Sequence, residues 1–239
     1  KIMGYKDLSN YNLMTIFGGQ PFIDVRLSLN SFLPNNLEKK TSEKIINHSI
    51  KKLKRNPMYH DKIEFDISIT NYDFDFKKKL KNLYGDILNK KEKKIFEHKI
   101  KQLTIENVSI TKSSNLNKAL VNIEKLKLIQ ESKKKYNIYD LKKIIFECKT
   151  YGTLPFSILA RYAFIATDLL KSLLNKDILN KKDIENFQSN IFSITSEMLQ
   201  DSKNLSKKLF LKKYGHLRPG TYDIKSTRYD KLKKFNIEK

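Results

Sequence analysis

Hydrophobic residues recur with two different periods along this chain. In residues 22–30, Ile23, Val25, Leu27 and Leu29 alternate with Asp24, Arg26, Ser28 and Asn30, the two-residue period of a half-buried strand. Residues 62–68 repeat the pattern: Ile63, Phe65, Ile67 and Ile69 share one face, and Glu64, Asp66 and Ser68 the other. Between these predicted strands, residues 41–54 carry the period of a short amphipathic helix, closed by Asn56 and Pro57. The aromatics Tyr72, Phe74 and Phe76 then resume out of step, which predicts a turn or bulge and a third short strand.

From about residue 76 the period becomes helical. Ile95, Phe96, Ile100 and Leu103 recur at three- and four-residue spacing, as do Leu116, Ala119, Leu120, Ile123, Leu126 and Ile129. Further helices are predicted over 141–148, 183–199 and 202–213. Gly152 and Thr153 are expected to interrupt the chain before a largely buried helix over 155–174, with Thr153 as its N-cap and Pro155 in its first turn. The expected fold is α+β and predominantly helical, with a small antiparallel sheet in the first third followed by a helical bundle. A single domain over 1–239 is expected, comprising a mixed α/β part (1–76), a helical part (77–213) and a closing loop (214–239).

Composition narrows this picture. Hydrophobic residues make up 39% of the 239 positions, with 14 Phe and 12 Tyr, enough for a real core. Seven Gly and five Pro are too few for a barrel or sandwich rich in tight turns. Cys148 is the only cysteine, which excludes an internal disulfide and argues against a cysteine zinc site, so a reducing, cytoplasmic home is expected. The most hydrophobic stretch, 154–174, contains Arg161, Asp168 and Lys171, and no membrane span is expected there. The chain begins Lys-Ile-Met-Gly-Tyr, without an initiator Met or an apolar leader, and reads as the interior of a longer polypeptide. A net charge of +22 invites a nucleic-acid reading, which predicts steeply salt-dependent binding. The lysines, however, are scattered, and their runs at 51–55, 77–81, 90–94 and 133–135 fall on different predicted elements, as on a solvated Lys-rich surface. No nucleic-acid partner is therefore expected.

Arginine is the more selective signal. Of 48 basic residues only five are Arg: Arg26, Arg55, Arg161, Arg218 and Arg228. Its planar fork matches carboxylate or phosphate in a way an ammonium does not. If the two predicted strands pair, Asp24, Arg26, Ser28 and Asn30 lie beside Glu64, Asp66 and Ser68, a surface able to hold a zwitterion or simply to form cross-strand ion pairs. Glu64 and Asp66, two apart on a strand, also have the spacing of a weak magnesium site. His60 precedes that strand, either to orient a ligand or as a structural hydrogen-bonding residue. Arg161 lies within an apolar helix and requires either a carboxylate partner or an anionic ligand. Residues 214–230 combine Gly215, His216, Arg218, Pro219, Gly220, Thr221, Asp223 and Arg228. That is the composition of an anion-binding loop, or of a rigid turn with Arg218 and Arg228 paired to Asp223 and Asp230. No nucleotide-binding, nucleophile-elbow or zincin motif is present.

Residues 214–223, Tyr-Gly-His-Leu-Arg-Pro-Gly-Thr-Tyr-Asp, resemble the Gly-His-x-x-Pro-Gly segment near the end of the middle region in phosphoenolpyruvate-synthase-like enzymes. Three further blocks are similar to one branch of that family, the branch that includes the L-glutamine kinase of capsule phosphoramidate biosynthesis. They are residues 19–34 (Gly-Gln-Pro-Phe-Ile-Asp-Val-Arg-Leu-Ser-Leu-Asn-Ser-Phe-Leu-Pro), 60–66 (His-Asp-Lys-Ile-Glu-Phe-Asp) and 151–161 (Tyr-Gly-Thr-Leu-Pro-Phe-Ser-Ile-Leu-Ala-Arg). The resemblance spans residues 4–230, although the Lys-rich helices over 77–149 agree only in pattern. It implies a three-part enzyme in which an ATP-grasp domain, using ATP and Mg2+, phosphorylates a histidine on a swivelling domain that delivers phosphate to an acceptor. This chain resembles only the middle part, so no cofactor is expected to bind it and the fragment alone is expected to be inactive. For the glutamine-kinase branch the implied reaction converts ATP, L-glutamine and water to AMP, phosphate and glutamine phosphorylated on its amide nitrogen. The implied partners are L-glutamine or another small acceptor and the two flanking domains. In that frame Arg26 or Arg161 is expected to take the acceptor's carboxylate, and Asp24 or Glu64 its ammonium. Asn30, His60, Thr221, Asp223 and Arg228 complete the expected binding set, while His216 and Arg218 stabilise the transferring phosphoryl group. A central domain with a different acceptor and a non-catalytic interdomain scaffold are the alternatives.

Overall fold

A computed structural model describes residues 2–109, 111, 114–132, 137–218 and 225–232. The fold is α+β and mostly helical, with one small antiparallel sheet near its start. The chain forms two compact units, residues 1–179 and 180–239.

In the first unit, β1 (Met14–Phe17) and β2 (Gln20–Ile23) form a hairpin in which Met14 pairs with Ile23 and Phe17 with Gln20. Gly18 and Gly19, with φ of 54° and 79°, make the turn, the left-handed pair that two-residue hairpins require. The predicted strand over 22–30 therefore ends at Ile23. Asp24 then accepts a hydrogen bond at 2.9 Å from the Leu27 N–H and caps the helix α1 (Val25–Asn30). The alternation of Val25, Leu27 and Leu29 is overridden by a different spacing: Leu29, Phe32 and Leu33 follow at three and four residues, and all three are buried.

Helix α2 (Lys39–Arg55) forms as expected and ends at Asn56, before a short 3-10 turn at Pro57–Tyr59. The second predicted strand is instead a single π turn, Ile63–Ile67. Strand backbone needs a neighbouring strand, and here α2 takes its place: Lys52 Nζ donates to the Asp66 carbonyl at 2.7 Å and Ser49 Oγ to that of Ile67. The third predicted strand fails for a related reason. Residues 68–75 form no sheet, and side chains pin their backbone: the Tyr72 N–H donates to Thr104 Oγ1 at 2.8 Å, the Phe74 N–H to Ser172 Oγ at 3.3 Å, and the Thr70 carbonyl accepts from the Tyr5 hydroxyl at 2.8 Å.

Helices α3 (Phe76–Tyr84), α4 (Lys90–Val108) and α5 (Asn115–Glu131) follow, α4 opened by a capping box of Asn89 and Glu92. Phe76, Leu80, Tyr84, Phe96 and Ile100 join Leu29, Leu33, Ile45, Ile46 and Ile67 in the main core. Helix α6 (Leu141–Glu147), a π segment Cys148–Thr153 and α7 (Leu154–Asn175) run on without a break from a 3-10 turn at Ile138–Asp140. The expected interruption at Gly152 and Thr153 is thus absent, and Thr153 is helical and caps nothing. Gly152 is there for closeness: a Cβ would lie 3.1 Å from Leu126 Cδ2, and α5 packs against this segment. The helix Ile138–Asn175 is long and apolar enough, by length and composition alone, to cross a membrane. Its burial is one-sided, contrary to the largely buried helix expected, with Pro155, Ile165, Asp168 and Ser172 inside and Phe146 and Phe156 exposed.

The second unit holds α8 (Lys181–Ser189), α9 (Ile194–Asn204) and α10 (Lys207–Tyr214). The single helix expected over 183–199 is split because the Ser193 hydroxyl accepts from the Ser196 N–H and starts a new helix. Residues 229–230 fold back on the end of α10, with Tyr229 N–H donating to the Leu217 carbonyl and Asp230 N–H to that of Gly215.

Candidate anion site at Arg161

The first residues are tied to the rest of the first unit by hydrogen bonds to backbone carbonyls. Lys6 N–H donates to the Leu33 carbonyl at 2.9 Å, Asn35 N–H to that of Gly4 at 3.0 Å, and Asn107 Nδ2 to that of Met3 at 3.0 Å. This places Tyr5 against α7, where Met3, Tyr5, Leu103 and Ile165 form a second, smaller core with Ile158, Tyr162 and Leu169. The same contact opens a cleft of about 370 Å³, within the range of small-ligand sites of about 300–1,000 Å³. Its polar lining is Tyr5, Lys6, Asp7, Ser31, Ser157 and Arg161; Met3, Leu8, Leu154 and Ile158 supply apolar surface.

Arg161 is the unusual member. Its guanidinium lies between two aromatic rings, with Cζ 5.1 Å from the Tyr5 centroid and 4.6 Å from that of Phe32. Nη1 is buried without a hydrogen-bond partner, and no ion pair holds the side chain among the described residues. Burial pushes its pKa down, opposed by the Tyr5 phenol and the Glu64 carboxylate. Cation–π contact of this kind contributes about 0.5–2 kcal/mol, whereas a buried unsatisfied donor costs about 1–3 kcal/mol, more when charged. The guanidinium is therefore under-compensated, and an anion in the cleft would complete it. Lys6, also lowered chiefly by burial and opposed by Glu43, adds a second cation to the same cleft. Burial raises the Tyr5 phenol to about 12, Arg161 opposing the rise and Asp168 adding to it, so Tyr5 stays neutral and donates to Thr70.

One helix face carries this residue and its counterpart. Ile158, Arg161, Ile165, Asp168, Ser172 and Asn175 recur along α7 at three- and four-residue spacing. At the far end of that face, Lys79 bonds Asp73 and lies 3.4 Å from Asp168, while Asn175 Nδ2 donates to Asp75 at 2.7 Å. Burial raises the Asp168 pKa above the usual carboxylate range, Lys79 opposing and Asp73 reinforcing the rise. Burial depresses Lys79, but its hydrogen bond to Asp73 and the charges of Asp168 and Asp73 leave it raised.

The other sequence-predicted site residues are placed differently. Because residues 25–30 are helical and 63–67 a π turn, Asp24, Arg26, Ser28 and Asn30 do not face Glu64, Asp66 and Ser68 across a sheet, and the strand spacing that suggested magnesium at Glu64 and Asp66 is gone. Asp24 is a helix cap. Arg26 Nη1 donates to Asn47 at 2.9 Å in an exposed position, and Asn30 Nδ2 to the Arg26 carbonyl. His60 Nδ1 lies 3.1 Å from the Pro57 carbonyl, a structural role at an exposed turn. Glu64 is half-buried and acts on Arg161 through its charge.

In the second unit His216 and Arg218 are exposed, and Arg228 forms a two-pronged pair with Asp230, at 3.1 Å and 2.6 Å. Thr221 and Asp223 lie outside the described residues. Lys213 bonds both Glu197 and Asp201 at 2.6 Å, and Tyr214 donates to Asp201 at 2.8 Å, so the start of the 214–230 segment is a closed polar cluster. Among the described residues no three His, Cys, Asp or Glu side chains gather as a metal-ligand set.

Sequence reasoning found Arg161 but missed Tyr5, Lys6, Asp7, Ser31 and Ser157 around it. The available signal was the face of α7, whose polar residues fall in line at helical spacing. No family model, curated protein or solved structure matches the chain.

Proposed function

We propose that this chain is the acceptor-binding central part of an ATP-dependent dikinase-type phosphotransferase, with L-glutamine as acceptor and the Arg161 cleft as the seat of its carboxylate. The observation that carries the reading is the buried, unpartnered Nη1 of Arg161 beside an open cleft. A carboxylate there satisfies the guanidinium through charge-assisted hydrogen bonds, with Lys6 as second cation; Glu64, whose charge acts on Arg161, is assigned to the α-ammonium. Arg161 is preferred to Arg26, whose guanidinium is engaged by Asn47 on the surface.

Further support comes from where the lining originates. Ser31 belongs to the block 19–34, and Leu154, Ser157, Ile158 and Arg161 to the block 151–161, two of the segments that resemble the phosphoenolpyruvate-synthase-like family. In this reading ATP and Mg2+ belong to a flanking ATP-grasp domain, and the phosphoryl group arrives on a histidine of another domain.

The test uses the polypeptide that carries the flanking domains and follows AMP formed on addition of L-glutamine. Arg161→Met is expected to lower kcat/KM by about 10- to 100-fold, mainly through KM, the scale of one lost charge-assisted hydrogen-bond pair. Arg161→Lys recovers part of it. Unchanged glutamine-dependent AMP formation in Arg161→Met overturns the site. AMP formation that responds to another small carboxylate and not to glutamine overturns the acceptor while leaving the site.

A further inference from the structure

We propose that the β1–β2 hairpin is a peripheral membrane insert that seats this chain on an anionic bilayer. Residues 8–23 contain no charged residue, in a chain of which 31% is charged. The register puts Met14, Ile16, Pro21 and Ile23 on one face, and Thr15, Phe17, Gln20 and Phe22 on the other. Both faces are open: Ile16 is 65% exposed and Ile23 54%, against 63% for Phe17 and 52% for Phe22. The two phenyl rings, 5.5 Å apart edge to face, stand beside the Gly18–Gly19 turn.

A two-stranded ribbon is marginal in water by itself, and no third strand joins this one among the described residues. Its apolar surface has no cover among the described residues, and the geometry distinguishes the possible covers. A flat protein surface covers one face of a ribbon and leaves the other wet. A bilayer interface surrounds both. Strands of four residues reach about 13 Å at about 3.3 Å per residue, comparable with the roughly 5–10 Å to which interfacial segments sink. The net charge of +22 supplies the complementary attraction to anionic headgroups, and it disfavours a second copy of the chain as the occupant. Asp7 and Asp24 bound the uncharged stretch, with Lys6 and Arg26 just beyond them, so the attraction comes from the lysine-rich surface of the chain as a whole. The hairpin enters the interface without spanning it.

The chain has no tryptophan, so Phe17→Trp introduces a single reporter at the tip. The whole chain is mixed with vesicles of phosphatidylcholine, or of phosphatidylcholine with phosphatidylglycerol, and sedimented. Binding to the phosphatidylglycerol vesicles is expected, with a blue shift of the Phe17→Trp emission and quenching by brominated acyl chains. The double variant Phe17→Ser/Phe22→Ser, changed only at exposed side chains and checked by circular dichroism, is expected to bind at least about tenfold more weakly. Failure of the wild type to sediment with anionic vesicles overturns the proposal and leaves a protein cleft as the hairpin's cover. Binding with unmoved tryptophan emission, or undiminished in the double variant, overturns it too, since lysines alone would then account for adsorption.

Discussion

Arg161 and Asp168 stand seven positions apart on one face of α7, in opposite electrostatic conditions. Asp168 lies 3.4 Å from Lys79, itself bonded to the fully buried Asp73, so every charge at that end has an opposite neighbour. Arg161 has two aromatic rings and an unpaired nitrogen. Both residues are removed from water, yet only one end of the face is electrostatically closed. The closed end fastens α7 to the segment 68–75 and to α3; the open end borders the cleft. A buried charge left under-compensated is tolerated where a ligand supplies the missing partner, and that difference makes Arg161 the functional candidate.

Removing charge from the two ends should therefore have unequal consequences. The largest loss of stability is expected from Asp73→Ala, which strands Lys79 between burial and one more distant carboxylate; breaking a buried pair in this way costs about 3–5 kcal/mol, read from urea unfolding. Arg161→Met should stay within about 1 kcal/mol of the parent, or gain, because it removes an unsatisfied donor and keeps an apolar stem. A loss at Arg161 as large as that at Asp73 would erase the distinction.

The pH dependence sharpens the same contrast. Burial raises the folded-state pKa of Asp168, so the folded chain holds this proton more tightly than the unfolded chain does. Its contribution to stability is then greatest below the ordinary carboxylate value of about 3.9 and declines as pH rises through the raised value. Asp168→Asn is expected to flatten that decline in denaturation midpoints measured across the acidic range; an unchanged profile would refute the assignment. The smallest effect is expected in the second unit. There Asp201 is held below its ordinary value by hydrogen bonds from Lys213 and Tyr214, its stabilisation present above the ordinary carboxylate pKa and lost as pH falls through the lowered one. Lys213 is exposed and Asp201 only partly buried, so Asp201→Asn should move the midpoint only slightly and only above that range.

Helices α4 and α5 were legible because their periods are long, as at Phe96, Ile100 and Leu103, whereas the joined segment 138–175 and the split at Ser193 were not. The strands were misread for a physical reason. Alternation in a short run does not distinguish a strand from a capped helix or a π turn when side chains, such as Lys52 and Ser49, take the carbonyls that a neighbouring strand would. Asp24, read as a polar strand position, was the legible cap signal. At the site, Arg161 was found because a guanidinium in an apolar helix needs an explanation. Lys6 and Asp7 were not, because their place depends on backbone bonds from Gly4 and Lys6 to residues near 33–35, which no local pattern announces. In the segment 214–230, prominent by composition, Tyr214 is bonded to Asp201 and Arg228 is paired with Asp230.

The most direct measurement is a calorimetric titration of the chain and of its Arg161→Met variant with L-glutamine and other small carboxylates, alongside urea unfolding of both. Saturable carboxylate binding by the parent, lost in a variant of equal or greater stability, is the predicted result. Equal binding by the two proteins, or a variant destabilised by several kcal/mol, would contradict it and make Arg161 a structural residue.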